Sequence, residues 1–383
     1  MSVLIKMAKD PICGMEGHIK AHGHYFCSQR CIEKYEQMHS IKKCLSCEIK
    51  GGHLPWYKER LYVVSLLTII IVVVAYFFSQ KLFDAFVDYF KLIWWAILLG
   101  VFIGGIIDFL IPNVYISKFL SKPEKKTIFY SVIFGFLMSA CSHGILAIAI
   151  ELYKKGASIP SVIAFLLASP WANLPVTILL FSFFGLKALL MVLSAIVIAI
   201  ITGLIYQVLD RNKKIEKSKH IAKVNDSFSI RSDIKRRWKT YKWNAENNIK
   251  VMKGIFRGSW ALSKMVVWWI LIGMILASFA RAFVPHEFFM TYMGATLLGL
   301  GVTLVLATII EVCSEGSAPL AFELFKQTGA FGNSFTFLMA GVSTDYTEIG
   351  LIWSNIGKRT ALWLPVITVP QILILGYLFN VLL

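Results

Sequence analysis

The chain has 383 residues, of which 57% are hydrophobic and 16% are charged, and its mean hydropathy is +0.67. Because a soluble domain of this length would carry far more charge, the composition excludes an ordinary soluble protein and predicts an all-α polytopic membrane protein. The net charge of +17 is concentrated in residues 210–257, where fifteen Lys and Arg accompany five Asp and Glu. Beside membrane spans this charge is typical of a cytoplasmic segment near anionic lipid, and no recognition fold accompanies it that would indicate nucleic acid.

Residues 1–56 are polar, and we predict that they form a small cytoplasmic metal-binding module. They hold five of the seven cysteines at spacings typical of metal ligands, and no signal peptide is predicted ahead of them. Thiol ligands are therefore favoured over disulfides, and zinc or another soft metal would supply folding energy that so short a segment lacks. The alternative is unligated thiols on a disordered tail. The candidate ligands are Cys13, Cys27, Cys31, Cys44 and Cys47.

This segment resembles the YHS/TRASH-like metal-binding modules found beside heavy-metal transporters. The resemblance is carried by Asp10-Pro11 with Cys13-Gly14-Met15, and by Tyr25-Phe26-Cys27-Ser28 with Cys31. It implies that the module captures or senses a soft metal. The short gap between Cys13 and Cys27 and the added pair Cys44 and Cys47 depart from the pattern, so the ligand set stays open.

Nine apolar runs follow, and most approach the roughly 20 residues that a helix needs to cross a bilayer. We predict a first transmembrane helix and its connection at 57–90, a first repeat at 91–209, a basic cytoplasmic linker at 210–258 and a second repeat at 259–383. The runs lie near residues 61–80, 91–111, 127–150, 159–183, 187–209, 261–284, 291–312, 333–342 and 361–382.

Two segments of the membrane region match each other in order, which predicts an internal duplication. Each contains a Trp pair, a polar pentad with a cysteine, a Glu ten residues after that cysteine, and a Gly-Ala pair. Chance similarity between apolar runs would not keep these features in register. The matches are Trp94-Trp95 with Trp268-Trp269, the pentad 140–144 with the pentad 312–316, Glu151 with Glu323, and Gly156-Ala157 with Gly329-Ala330.

The two repeats are predicted to be inverted with respect to each other in the membrane. If residues 1–56 and the linker 210–258 are both cytoplasmic, an even number of crossings must separate them, yet five apolar runs lie between. The run at 127–155 is broken by a pentad and is the best candidate for a re-entrant hairpin that does not cross. The second half then runs in the opposite direction, as in many secondary transporters with broken helices. A parallel repeat is the alternative.

The two pentads are the candidate substrate pathway, because polar groups inside an apolar run usually line a site. Cys, His and carboxylate ligands suit zinc, thiolate and imidazole suit copper, and two thiols suit a trivalent arsenical with one organic substituent. The glycines could allow a close backbone approach. The alternative is that both cysteines fill apolar space. The candidate residues are Cys141, Ser142, His143, Gly144, Cys313, Ser314, Glu315 and Gly316.

Three acidic residues are further candidates for the same pathway. Glu151 and Glu323 follow the pentads and could relay protons or coordinate a cation, or they could be ordinary charges near the membrane interface. Asp345 and the matching stretch 168–173 both interrupt apolar runs, and broken helices at equivalent positions indicate a binding site.

Asp108 and Arg281 also occupy matching positions inside apolar runs. Two interpretations stay open: an ion pair between them across the repeats, or two side chains that each extend to the nearby interface.

Residues from about 90 to the C-terminus resemble the ArsP-type family of predicted permeases. The resemblance implies an inner-membrane efflux permease for trivalent organoarsenicals or, in related branches, for soft transition metals. Many members of the family resemble Cys-Ser-Cys-Gly at the first pentad. Here His143 stands in place of the second cysteine, so zinc and copper stay open as substrates. The motifs that carry it are Ala140-Cys141-Ser142-His143-Gly144, Lys155-Gly156-Ala157, Ala164-Phe165-Leu166, Ser169-Pro170 and Cys313-Ser314-Glu315-Gly316-Ser317-Ala318-Pro319-Leu320-Ala321.

We therefore predict a plasma-membrane permease with a cytoplasmic N-terminus that exports a soft metal or metalloid and is not an enzyme. No nucleotide-binding motif is present, so an ion gradient or the substrate's own gradient would drive export. The alternatives are a membrane-anchored metal sensor without transport activity, and a thiol enzyme with His143 as its base. The enzyme lacks a third group to orient that base.

Overall fold

The computed structural model of the chain describes residues 8–9, 16–17, 19–21, 24–26, 59–110, 125–138, 142–154, 156–216, 245–310 and 313–383. The chain divides into two compact units, Met1–Tyr57 and Lys58–Leu383.

The first unit is described through four short strands in two antiparallel pairs. β1 (Ala8–Lys9) pairs with β2 (Glu16–Gly17), and β3 (Ile19–Ala21) pairs with β4 (His24–Phe26). Two residues connect β3 to β4, the shortest common hairpin connection. The five predicted metal ligands, Cys13, Cys27, Cys31, Cys44 and Cys47, lie outside the described residues, so the metal site stays a prediction.

The described residues of the second unit form fourteen helices. They are α1 (Arg60–Phe78), α2 (Gln80–Leu110), α3 (Lys125–Leu137), α4 (Ser142–Lys154), α5 (Ile159–Ala172), α6 (Leu174–Phe184), α7 (Lys187–Arg211), α8 (Ala245–Phe283), α9 (His286–Met293), α10 (Leu297–Ile310), α11 (Ser314–Thr328), α12 (Phe331–Thr344), α13 (Tyr346–Asn355) and α14 (Lys358–Leu382).

Six of these segments are long and apolar enough to cross a membrane: α1, α2, α5 with α6, α7, α8 and α14. The bent pair of α9 and α10, with 107° between its helices, could form a seventh. Four of the six lie between residues 60 and 211, the even number that the predicted topology requires. α3 and α4 have 13 residues each, and the run at 127–155 is broken between them. At 1.5 Å per residue each covers only about 20 Å, less than the hydrocarbon thickness.

α12 and α13 together run the length of α14 in the opposite direction. α12 begins beside the C-terminal end of α14, where the Phe331 and Phe379 ring centroids are 5.5 Å apart and Asn380 donates to Asn333 at 2.7 Å. α13 ends at Asn355, close in sequence to the start of α14.

Two helices begin earlier than the hydrophobicity predicts. α2 begins at Gln80 rather than near residue 91, and α8 begins at Ala245 within the segment predicted to be linker. The first turns of α2 carry Lys81, Asp84 and Asp88. Backbone hydrogen bonds continue through these polar turns, whereas the apolar run marks only the part suited to lipid.

α2 and α8 pack antiparallel along much of their length. At one end Arg281 of α8 pairs with Asp88 of α2 at 3.0 Å, and at the other Gly105 of α2 lies against Ser259 of α8. The partner of Arg281 is therefore Asp88, at the exposed start of α2, a partner that neither interpretation of Arg281 had named. The side chain of Asp108 lies outside the described residues.

α7 and α14 also pack antiparallel. The Tyr206 hydroxyl donates to the carbonyl oxygen of Thr360 at 2.7 Å, and one turn earlier on α7 the Gln371 amide donates to Thr202 at 3.1 Å. From Thr202 to Tyr206 the residue number rises along α7, whereas the contacted residues on α14 fall from Gln371 to Thr360, so the two helices run in opposite directions.

The most buried helices are α5 and α12, which pack against each other. Every residue of α5 is buried, and so is every residue of α12 from Phe331 to Ala340. Each of these helices ends at a polar residue, Asn173 or Asp345, from which the next helix starts. The breaks therefore lie next to the centre of the unit.

Glu216 anchors the start of α14, and we expect Glu216→Ala to lower the stability of the protein. Its carboxylate accepts the backbone N–H of Arg359 at 2.8 Å and both the N–H and the hydroxyl of Thr360, at 3.0 and 2.8 Å. Loss of such a helix cap costs about 1 kcal/mol. Burial opposes ionisation, but the hydrogen bonds from Arg359 and Thr360 outweigh it and lower the pKa of Glu216.

The sign of the pH dependence follows from that lowered pKa. The contribution of Glu216 is complete above its unfolded-state pKa of 4.5 and is lost as the pH falls through the lower folded value. Thermal unfolding in detergent should separate wild type from Glu216→Ala at pH 7, and the gap should close in strong acid. Glu287→Ala, at an exposed glutamate, is the control. A gap that does not change with pH would contradict this role.

Candidate functional site

Two helix breaks are each capped by a polar side chain. At the first break Asn173 Oδ1 accepts the N–H of Val176 at 2.8 Å. At the second, Asp345 Oδ1 accepts the N–H groups of Thr347 and Glu348 at 2.6 and 2.9 Å. Short polar side chains that accept from the first turn stabilise a helix start. The predicted breaks at 168–173 and Asp345 are therefore present, and each leaves a polar group at the core.

The second pentad opens α11 at the buried end of that helix. Cys313 directly precedes the helix, and its carbonyl oxygen accepts the N–H of Ser317 at 2.9 Å. Cys313 is 5% exposed and Glu315 only 2%. The Cys313 thiol donates to Glu315 Oε2, and the Ser314 hydroxyl donates to the same oxygen at 3.1 Å. A thiol and a carboxyl group are thus in direct contact away from water.

Asn173 connects this pentad to the break in the other half of the chain. Its side chain hydrogen-bonds Glu315, and α6 packs against α11. α13 packs against α4 in the same way, so each break lies against the pentad helix of the opposite half. Asn173 is the last residue of the predicted break at 168–173, but it was not singled out as a site residue. The available signal was a polar side chain two residues before Pro175 in an otherwise apolar run.

Gly316 lies where two helix backbones make close contact. A Cβ built on Gly273 of α8 would lie 2.0 Å from the carbonyl oxygen of Gly316. The close approach at Gly316 therefore comes from α8, and it fixes the position of the first turn of α11.

Glu323 belongs to a separate polar network further along α11. Tyr89 of α2 donates to Glu323 Oε2, and Gln327 donates to Oε1 at 2.6 Å. Gln327 in turn contacts the exposed His286 of α9 at 3.0 Å. Glu323 and Tyr89 are each 1% exposed. Ten residues of helix separate Glu323 from Cys313, about 15 Å, so Glu323 does not share a site with the thiol.

The first pentad is only partly described. Ser142, His143 and Gly144 begin α4, but the side chains of Ser142 and His143 and all of Cys141 lie outside the described residues. Glu151, further along α4, is half-buried. Within the part of the chain that the structure describes, no three His, Cys, Asp or Glu side chains form a group that could hold a metal. The convergence of Cys141 with Cys313 therefore stays a prediction.

Comparison with known proteins places this geometry in a family. A family described as predicted permeases, ArsP_1, matches residues 79–381. A UPF0718 protein of Methanocaldococcus jannaschii is 22% identical over 343 residues, covering 75% of this chain and 92% of the relative. A protein of Streptococcus mutans, named for a subunit of a two-component membrane permease complex, is 24% identical over 66% of this chain and 79% of its own. No solved structure matches.

Proposed function

Because the chain belongs to the ArsP_1 family of predicted permeases, we propose that it exports a soft metal or metalloid across the plasma membrane. The substrate would be a trivalent organoarsenical, zinc or copper, and the site would be centred on Cys141 and Cys313. One observation carries the proposal: the Cys313 thiol and the Glu315 carboxyl group are buried together at a helix break in the core of a permease.

Inverted repeats would complete this site, and the helix directions support them. In an inverted repeat, equivalent helices run in opposite directions, as α2 does to α8 and α7 to α14. The same symmetry matches the packing of α6 on α11 with that of α13 on α4. Cys141 and His143 would then supply the ligands that the described side chains around Cys313 lack.

The contact between Cys313 and Glu315 suggests how a substrate would be bound and released. A thiol must lose its proton before its sulfur can bind a soft metal. Because Cys313 donates to Glu315 Oε2, that carboxylate can accept the proton when the metal binds and return it when the metal leaves. The Ser314 hydroxyl and the Asn173 amide would hold Glu315 in place during the exchange.

The N-terminus and the linker would both lie in the cytoplasm. Glu216 ties the end of α7 to the start of α14, so both helix ends lie on one side of the unit together with Lys358 and Arg359. An excess of Lys and Arg beside span ends is typical of the cytoplasmic side. The predicted module at 1–56 would then deliver its soft metal to the inner end of the permease.

The test measures accumulation of methylarsenite, zinc and copper in cells that express wild type, Cys313→Ser or Cys141→Ser at equal membrane levels. We expect wild-type cells to accumulate less of at least one substrate and both variants to lose that difference, because serine is a poor ligand for soft metals. Unchanged accumulation of every substrate would overturn the proposal.

A second pair of variants separates a permease from a membrane-anchored sensor. Cys44→Ser with Cys47→Ser alters only the predicted module. A permease should keep part of its export in this double variant and lose it in Cys313→Ser. For a sensor without transport activity, any effect of the protein on metal accumulation should survive Cys313→Ser and be lost in the double variant.

A further inference from the structure

The residues just after α7 and the first turns of α14 line a cavity of about 530 Å³ that is broadly open to the surface. This volume lies within the roughly 300–1,000 Å³ of small-molecule sites. Half of the lining residues are basic and half are apolar. They are Lys213, Lys214, Arg359, Leu362, Trp363 and Val366.

Backbone structure holds the two lysines of this cavity in place. α7 ends in a Schellman motif, in which Lys214 donates its N–H to the carbonyl of Leu209 at 2.9 Å and Lys213 donates to Asp210 at 3.0 Å. Lys213 has φ of 56°, at the position that glycine usually occupies, and among the described residues no other non-glycine residue has a positive φ. Ile215 is buried directly after the lysines. Lysine is destabilising in this left-handed conformation.

The three cations of the cavity are not paired with carboxylates of the described residues. No ion pair joins Lys213, Lys214 or Arg359 to an acidic side chain in the described part of the chain. Glu216 is an ionised carboxylate next to Arg359, and both of its oxygens accept from the first turn of α14. The three cations of the cavity therefore outnumber this one carboxylate, and the cavity keeps an excess of positive charge.

The apolar lining residues indicate where that anion comes from. Leu362 and Val366 are 54% and 59% exposed on α14, a helix long and apolar enough to cross the membrane. They follow Arg359 by about one and two turns, and Trp363 between them is typical of the membrane interface. A phosphate at the cations with an acyl chain along Leu362 and Val366 would match both halves of the lining. We propose that this cavity binds the headgroup phosphate of an anionic phospholipid from the bilayer.

The test uses the full chain purified in detergent and stripped of lipid, with phosphatidylglycerol or phosphatidylcholine of the same acyl chains added. We expect phosphatidylglycerol to raise the unfolding temperature of wild type and phosphatidylcholine to have little effect. In the triple variant Lys213→Gly, Lys214→Gln, Arg359→Gln, affinity for phosphatidylglycerol should fall on the order of 100-fold, since each cation near a membrane contributes roughly fivefold. Glycine suits the backbone at 213, so the lipid-free variant should remain folded.

The matched control removes the same charge outside the cavity, through Lys154→Gln, Lys253→Gln and Arg257→Gln at three exposed positions. It should bind phosphatidylglycerol as wild type does. Equal loss in the two triple variants would overturn the proposal, and so would equal stabilisation by phosphatidylcholine. Inorganic phosphate acting as strongly as phosphatidylglycerol would also overturn it, in favour of a free-anion site. Lys214→Gln alone gives a milder version of the test, and no result depends on transport.

Discussion

Gly273→Ala is expected to abolish most transport and to destabilise the protein, although it adds one methyl group far from any substrate ligand in sequence. The new Cβ would lie 2.0 Å from the carbonyl oxygen of Gly316, whereas ordinary contacts begin at 3.4 Å. α8 and α11 must therefore separate by more than 1 Å. Overpacking of this kind costs about 1–3 kcal/mol, and the better helix propensity of alanine returns about 1 kcal/mol.

The larger effect of Gly273→Ala should be on the site, because Gly316 lies in the same first turn as Cys313 and Glu315. Misplacing well-positioned groups by about 1 Å can reduce activity about 100-fold. We expect export of the substrate identified with wild type to fall at least tenfold at equal membrane levels.

Gly301→Ala is the matched control, since an added Cβ there has no neighbour within 4 Å. It lies inside α10, so alanine should leave stability unchanged or raise it by up to about 1 kcal/mol. Normal export by Gly273→Ala, or an equal defect in both variants, would contradict the importance of the close contact at Gly316.

Hydrophobicity and internal matching predicted the membrane-spanning core and its breaks. The interruption at 127–155 was predictable because a pentad with a thiol and a histidine cannot remain exposed to lipid. The starts of α2 and α8 were not, because their polar first turns form helix without forming an apolar run. Sequence alone could not choose the partner of Arg281 either. Asp108 matched it by position, whereas the antiparallel packing of α2 and α8 brings Asp88 to it.

The candidate site was also only partly predictable from the sequence. The sequence placed Cys313 and Glu315 in one pentad, but their direct contact needed the structure, because residues two apart do not face each other on a helix. The partners of Glu323, Tyr89 and Gln327, needed the structure, because neither residue carries a signal in the sequence that links it to Glu323. Asn173 was visible as a helix breaker, but its contact with Glu315 depends on how the two halves pack.

Asn173→Ala is expected to lower both stability and transport, because Asn173 has two roles. It caps α6 through Val176, worth about 1 kcal/mol, and it hydrogen-bonds the buried Glu315. Leaving a buried polar group without a donor costs about 1–3 kcal/mol. Thermal unfolding in detergent should therefore show a clear drop. Asn355→Ala, which removes an amide at the end of α13, should show little change.

Asn173→Asp separates the two roles of Asn173, because aspartate caps a helix as well as asparagine does but cannot donate to Glu315 when ionised. We expect it to lose export as fully as Asn173→Ala, although α6 keeps its cap. The reciprocal change, Asp345→Asn, keeps the cap on α13 and removes the carboxylate beside the first pentad helix. Under inverted repeats it should also impair export while the protein stays folded. Full export by Asn173→Asp would show that the donor to Glu315 is dispensable. Full export by Asp345→Asn would remove Asp345 from the pathway.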